Sequence, residues 1–212
     1  MPNNTASTQR IKDRFWTLPN VLTLTRLALV PVFFIMMLRR HALAAFLVFS
    51  LAGLTDFLDG TAARLLDLRT RIGTFLDPLA DKLLLSTAFI LLTLPGLSSP
   101  SAIPLWLTAA VLGRDLLIVT GAWVIYRSRG YKNFLPSLLG KISTVFQVAT
   151  VFLVLLSNCI QEEGWGDGTF LSSLTSSPVL SAFFLLTLAS TVLSGMHYIL
   201  KGAVIFSRPR PD

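Results

Sequence analysis

Apolar residues fill this chain in long blocks, and polar residues are gathered in the short stretches between them. The blocks cover residues 21–38, 43–66, 74–95, 103–126, 135–157 and 178–206. A helix rises ~1.5 Å per residue, so each block suffices to cross a hydrocarbon layer of about 30 Å. The pattern predicts an all-α, polytopic membrane protein with six transmembrane helices, the last long enough to tilt or to leave the bilayer. Pro19 and Pro31 bracket or kink the first of them. Ahead of it, residues 10–16, RIKDRFW, alternate basic and aromatic positions and suit a short amphipathic helix on the cytosolic headgroups. The first block has no small-residue cleavage site and is followed almost at once by a second, so it reads as retained. No repeat or linker divides the chain. The expected organisation is an interfacial segment over 1–17, one membrane domain over 18–207 and a cytosolic tail over 208–212.

Composition sharpens this picture. The chain is 53% hydrophobic and 14% charged, with a mean hydropathy of +0.68. Soluble domains carry about a quarter charged residues. A single cysteine, Cys159, excludes an internal disulfide. The net charge of +7 fits anionic headgroups rather than nucleic acid, because no basic cluster is interleaved with exposed aromatics. Basic residues recur at the N-terminus (Arg10, Lys12, Arg14), after block two (Arg64, Arg69, Arg71), after block four (Arg127, Arg129, Lys132) and in the tail (Lys201, Arg208, Arg210). The connection PGLSSPSAIP is uncharged, and QEEGWGDG over 161–168 is acidic and reads as a solvated external loop without calcium-loop spacing. By the positive-inside rule both termini are cytosolic, as in a bacterial-type inner membrane, with Arg39 and Arg40 on the opposing side. Trp106, Trp123 and Tyr126 read as interfacial anchors.

Against this apolar background, residues 54–82 read LTDFLDGTAARLLDLRTRIGTFLDPLADK and carry Asp56, Asp59, Asp77 and Asp81. On a helix Asp56, Asp59, Gly60 and Ala63 share an arc of about 100°, and Gly73, Asp77 and Asp81 one of about 80°. The polar stretch between Arg64 and Gly73 turns the chain, so two antiparallel helices can present two carboxylates each to one cavity. Gly60, Ala63 and Gly73 leave room there for a ligand. Clustered carboxylates cannot stay ionised without positive charge between them. The donors are all oxygen, which selects a hard cation, Mg²⁺ or Mn²⁺, over zinc. Two such ions on four aspartates would polarise a phosphoryl group. An ion transporter would call for broken helices and inverted repeats, and neither is legible.

The same residues fall on a known pattern. Asp56-x-x-Asp59-Gly60-x-x-Ala63-Arg64, eight residues, Gly73-x-x-x-Asp77-x-x-x-Asp81 resembles in full the signature of the CDP-alcohol phosphatidyltransferases. LPNVLTLTRLALVP (18–31), GRDLL and GKISTVFQ are similar to further segments of that family. The resemblance implies a six-helix enzyme, usually a homodimer, open to the cytosol. In it an alcohol attacks the lipid-bearing phosphate of CDP-diacylglycerol and CMP leaves. It implies two divalent ions on Asp56, Asp59, Asp77 and Asp81, with Asp81 also taking the acceptor's proton. It places the cytidine nucleotide against Gly60, Ala63, Arg64 and Gly73.

Other residues bear on the acceptor. A buried Arg114 needs an anion, and Asp115 points about 100° away on the helix, so Arg114 and Lys141 are candidates for an acceptor phosphate. Arg114 could instead pair with one of the four aspartates, or with Asp115, as scaffolding. Asn20, Thr23 and Arg26 recur about a turn apart, either at the nucleotide phosphates or as a cap (Asn20) and a snorkelling cation (Arg26). Lone His197 reads as a packing residue. Glycerol 3-phosphate is the leading acceptor, on frequency. Phosphatidylglycerol, giving a cardiolipin synthase, is the alternative, which GRDLLIV resembles more. From other classes, a prenyltransferase would release pyrophosphate, and a non-catalytic lipid-binding or transport protein would show no turnover. Asp81→Asn is expected to abolish nearly all CMP release while circular dichroism shows the helices intact; retained turnover would remove Asp81 from the proton-accepting role.

Overall fold

The computed structural model describes residues 18–66, 71–98, 100–129, 137–164 and 170–207. They form helices and turns, with no strand among the described residues. Six long helices, α1 (Leu18–Leu38), α2 (Ala42–Leu66), α3 (Arg71–Thr93), α4 (Leu105–Arg129), α5 (Leu138–Glu163) and α7 (Ser177–Ser207), match the six apolar blocks. A short α6 (Phe170–Leu174) lies between the last two. The expected interfacial helix at 10–16 and the tail at 208–212 lie outside the described residues.

Side chains on the inside are mostly aliphatic, with alanines and phenylalanines between them. Phe33 and Met37 of α1, Ala45, Phe49 and Ala52 of α2, Leu84, Ala88, Phe89 and Leu92 of α3 and Val151, Val154 and Leu155 of α5 build one continuous core. The alanines let α1, α2, α3 and α5 approach closely while the Phe33 and Phe49 rings meet at 6.0 Å. Helix α4 packs mainly on α7, which also packs on α5. The outside is as greasy as the inside: Leu105, Leu116, Trp123, Leu138 and Leu200 are all more than three-fifths exposed. A contiguous apolar exterior on this scale requires lipid around it. This is a membrane protein. Among the described residues, Leu105–Ile125, Leu138–Glu163 and Ser177–Val204 are long and apolar enough to cross a bilayer, whereas the apolar stretches Thr23–Leu38 and Ala42–Asp56 are shorter. Trp106 and Trp123 stand on the outer surface of α4, as anchors would; the side chain of Tyr126 lies outside the described set.

Many polar groups inside find partners on neighbouring helices or turns, as lipid demands. Along the α5–α7 seam Thr150 and Thr187 share a hydrogen bond of 2.7 Å and Ser143 and Thr191 one of 3.2 Å. At the far end of α5, Asn158 accepts from Ser101 N at 2.8 Å and donates to Ser98 Oγ at 3.0 Å. These bonds explain why α5 runs to Glu163, six residues beyond the apolar block. Ser157, the last residue of the block, and Asn158, just past it, are buried and paired. Gly164, in the left-handed region at φ 68°, stops the helix and donates to Ile160 O. The start of the acidic stretch is therefore the end of a helix rather than a loop, and Glu162 accepts from Ala42 N at 2.7 Å, capping α2 from across the bundle.

The turn between α1 and α2 closes a Schellman motif, Arg40 N to Met37 O and His41 N to Met36 O, with Arg40 at φ 58° where glycine is usual. In a cycle of Thr150→Val, Thr187→Val and the double variant, unfolding in mixed micelles is expected to give a coupling of about 0.6 kcal/mol. Strict additivity would mean that the seam carries nothing.

Candidate active site

Helix α1 supplies the residue on which the acidic cluster turns. Arg26 is 1% exposed, and its guanidinium lies between α2 and α3. Nη2 meets Asp56 Oδ1 at 3.0 Å and Nη1 meets Asp81 Oδ1 at 2.5 Å. Of the two readings left open for Arg26, snorkelling to the headgroups is not what the structure shows. The chain brings it carboxylates, so leaving the interior would strand them. Its buried neighbour Thr23 lies one turn earlier on α1.

Both carboxylates stand within the width of one guanidinium, so α2 and α3 do present acids to a common point. Asp56 is about half exposed and Asp81 rather less, which opens the cluster to a ligand from outside. Asp59, Gly60, Ala63 and Arg64 lie on α2, Gly73 and Asp77 on α3 and Asn20 on α1. Their side chains are outside the described set. No group of three or more His, Cys, Asp or Glu converges among the described residues. The Asp56 and Asp81 pair nevertheless fits a hard divalent cation: only oxygen donors face the point, and they already converge on a positive group.

A second polar centre sits where α4, α5 and α7 meet. Arg114 is 8% exposed. Its Nη1 donates to Asp115 Oδ1 at 2.8 Å and its Nη2 to Ser194 Oγ at 2.7 Å. The guanidinium carbon is 5.7 Å from the centre of the Tyr198 ring. Gly140 makes the space: a Cβ there would meet Nη2 at 3.1 Å. Ser137 caps α5 through Gly140 N at 3.0 Å, and its own N–H donates to the Tyr198 hydroxyl at 3.3 Å. The pairing of Arg114 with Asp115, one of the readings the sequence left open, is what the structure shows. Adjacent helical positions diverge at the backbone, but the long arginine side chain curls back to its neighbour. Arg114 Nε, also buried, has no hydrogen-bond partner.

The two centres are joined. Lys82, the residue after Asp81, forms an ion pair with the same Asp115 oxygen that holds Arg114. Sequence reasoning missed Lys82 and Asp115 as a pair, and left Arg26 undecided. The signal for Arg26 was the rule applied to Arg114, that a cation inside an apolar block needs an anion. Lys141 is exposed at the start of α5, next in the chain to Gly140, and makes no ion pair among the described residues. His197 packs edge-on to Tyr198 at 6.5 Å, in keeping with a packing role.

Residues 16–194 match the sequence model of the family described as CDP-alcohol phosphatidyltransferase. The chain belongs to that family. Among related CDP-alcohol phosphatidyltransferases, it is 34% identical over 201 residues to the CDP-diacylglycerol–glycerol-3-phosphate 3-phosphatidyltransferase of Bacillus subtilis, covering 88% of this chain and 95% of that protein. It is 32% identical over 209 residues to the human CMP-forming cardiolipin synthase, covering 91% of this chain and 65% of that protein. It is 38% identical over 161 residues to the CMP-forming cardiolipin synthase of Streptomyces coelicolor, covering 72% and 70%. The aspartates, with Arg26 on them, fall inside the matched region.

A cation bound at Asp56 and Asp81 would have to compete with Arg26 for them. Arg26→Leu is therefore expected to give a larger rise in thermal midpoint on addition of Mg²⁺ than the parent protein shows. Equal rises, measured by thermal unfolding in detergent, would separate Arg26 from the cation's carboxylates.

Proposed function

We propose that this membrane enzyme transfers the phosphatidyl group of CDP-diacylglycerol to a phosphate-bearing alcohol, glycerol 3-phosphate, and releases CMP. The observation that carries the reading is the convergence of Asp56 and Asp81 on one buried guanidinium, inside a matched family region. A nucleotide-activated phosphate needs such a place, where negative charge is held close and neutralised. Asp56, Asp59, Asp77 and Asp81 would hold two divalent ions, Mg²⁺ or Mn²⁺. When bound, those ions supply charge neutralisation at the diphosphate and polarise the phosphorus under attack.

The chain's own residues do the rest. Asp81 takes the proton of the attacking hydroxyl, whose oxygen forms the new bond to phosphorus as the bond to the CMP oxygen breaks. Arg26 orients Asp81 for that task, its Nη1 held on one carboxylate oxygen. Gly60, Ala63 and Gly73 give the nucleotide room, and Arg64, Asn20 and Thr23 contact it. Arg114 receives the acceptor's phosphate on its buried edge, and the exposed Lys141 adds positive charge at the mouth. Supporting the arginine assignment, a nine-tenths buried guanidinium with an unpartnered Nε–H leaves a donor that an anion would satisfy.

Phosphatidylglycerol is the second reading, favoured by Arg114-Asp115 in GRDLLIV and by the relatives named cardiolipin synthase. In both cases six spans set the active site and both termini on the cytosolic side of a bacterial-type inner membrane, and the enzyme works as a homodimer. Residues 18–207 form the catalytic domain. Purified protein with CDP-diacylglycerol and Mg²⁺, offered the two acceptors separately, is expected to form phosphatidylglycerophosphate and CMP. Cardiolipin as product selects the second reading; no CMP with either acceptor sinks both.

A further inference from the structure

Asp115 offers a single oxygen, Oδ1, to two cations on different helices: Lys82 Nζ of α3 and Arg114 Nη1 of α4. Ser194 of α7 fixes the other terminal nitrogen of Arg114, and the α5 backbone at Gly140 closes on it from a third side. Arg114 therefore has no freedom to swing, and its remaining donor edge is presented at one place. Lys82 differs: it is 45% exposed and spends a flexible side chain on this one bond. A half-exposed lysine gains little stability from a single carboxylate, so the pair is a weak device for holding the fold. It is a strong device for register. Successive Cα atoms are about 3.8 Å apart, so the residue that grips Asp115 is rigidly tied to Asp81 beside it.

We propose that the Lys82–Asp115–Arg114 triad is a ruler for the acceptor. Resting on the reading above, it fixes the offset between the carboxylate that takes the proton and the guanidinium that receives the phosphate. The ruler selects alcohols by the number of atoms between the attacking hydroxyl and the phosphate. In glycerol 3-phosphate and in the headgroup of phosphatidylglycerol alike, a three-carbon chain separates the attacking hydroxyl from the phosphoester oxygen. The two acceptors differ in what the phosphate carries beyond that point, not in this spacing. Lys82 and Asp115 act through Arg114 and Asp81 and are positioning residues.

The test offers the enzyme two acceptor series with CDP-diacylglycerol and Mg²⁺. One is the monophosphates of ethanediol, propane-1,3-diol and butane-1,4-diol; the other is the corresponding phosphatidyl diols, which distinguishes a free phosphate monoester from a lipid phosphodiester. The parent enzyme is expected to prefer the three-carbon member of the series it uses by tenfold or more in kcat/KM. In Lys82→Met and Asp115→Asn that preference falls to within threefold, while the KM for CDP-diacylglycerol stays within twofold. Lys82→Arg restores the preference. A purely structural pair would instead change kcat for all chain lengths together and leave their ranking intact, which overturns the ruler. So does a parent enzyme that does not discriminate. Should Asp115→Asn not accumulate as folded protein, the exposed Lys82→Met decides alone. Absence of CMP release by the parent enzyme with every acceptor defeats phosphatidyl transfer itself, and the ruler with it.

Discussion

Carboxylates at the edge of a hydrocarbon layer lose hydration that no apolar neighbour can replace, and two of them side by side also repel each other. Everything polar in this bundle is arranged around that difficulty. Arg26 answers it with a planar fork whose two ends reach Asp56 on α2 and Asp81 on α3 at once. A lysine, with one compact charge, could not span both in this way. The arginine is buried because its partners come from two other helices, so the pairing also fixes how α1, α2 and α3 meet. Local electrostatics and global packing are here one requirement.

The second centre follows the same logic with the signs reversed. Arg114 and Lys82 are cations that need an anion, and Asp115 serves both. The chain thus alternates charge across the helices: Arg26, Asp81, then Lys82, Asp115 and Arg114. Each charge faces an opposite one on an adjoining element or position. Among the buried groups without a hydrogen-bond partner, which include Ser50 Oγ, the Arg114 Nε–H lies beside Ser194, Tyr198 and Gly140. Elsewhere the interior leaves little to spare. The α5–α7 seam and the Ser98, Ser101, Ser157 and Asn158 cluster pair hydroxyl with hydroxyl or amide, so ordinary polar residues bind helices together instead of a ligand.

Much of this was legible from residues alone. Six apolar blocks became six long helices because hydrophobic length is the quantity a bilayer measures. The facing of Asp56 and Asp81 was legible because helical spacing is regular. Block ends were less so. At α5 the apolar block ends at 157 yet the helix runs on to Glu163, since the partners of Ser157 and Asn158, on a turn more than fifty residues away, cannot be inferred from local pattern. Pairings of long side chains were also hidden. The pairing of Arg114 with Asp115 was one reading among several, and that of Lys82 with the same carboxylate was not foreseen, because side-chain reach does not show in helical spacing. Arg26 was visible as an anomaly without its explanation, because its two partners lie on separate helices. Asp59, Asp77, Gly60, Ala63, Arg64, Gly73 and Asn20 keep the standing that motif spacing gives them.

Leu105, Leu116, Trp123, Leu138 and Leu200 face outward with most of their surface bare. A molecule dressed in this way has no stable existence in bulk water, and so its working space is a sheet, not a volume. Any lipid it handles arrives by sliding sideways within that sheet, at a rate governed by membrane viscosity and by how crowded the leaflet is. Crowding and fluidity would then act on it as solute concentration acts on a dissolved protein.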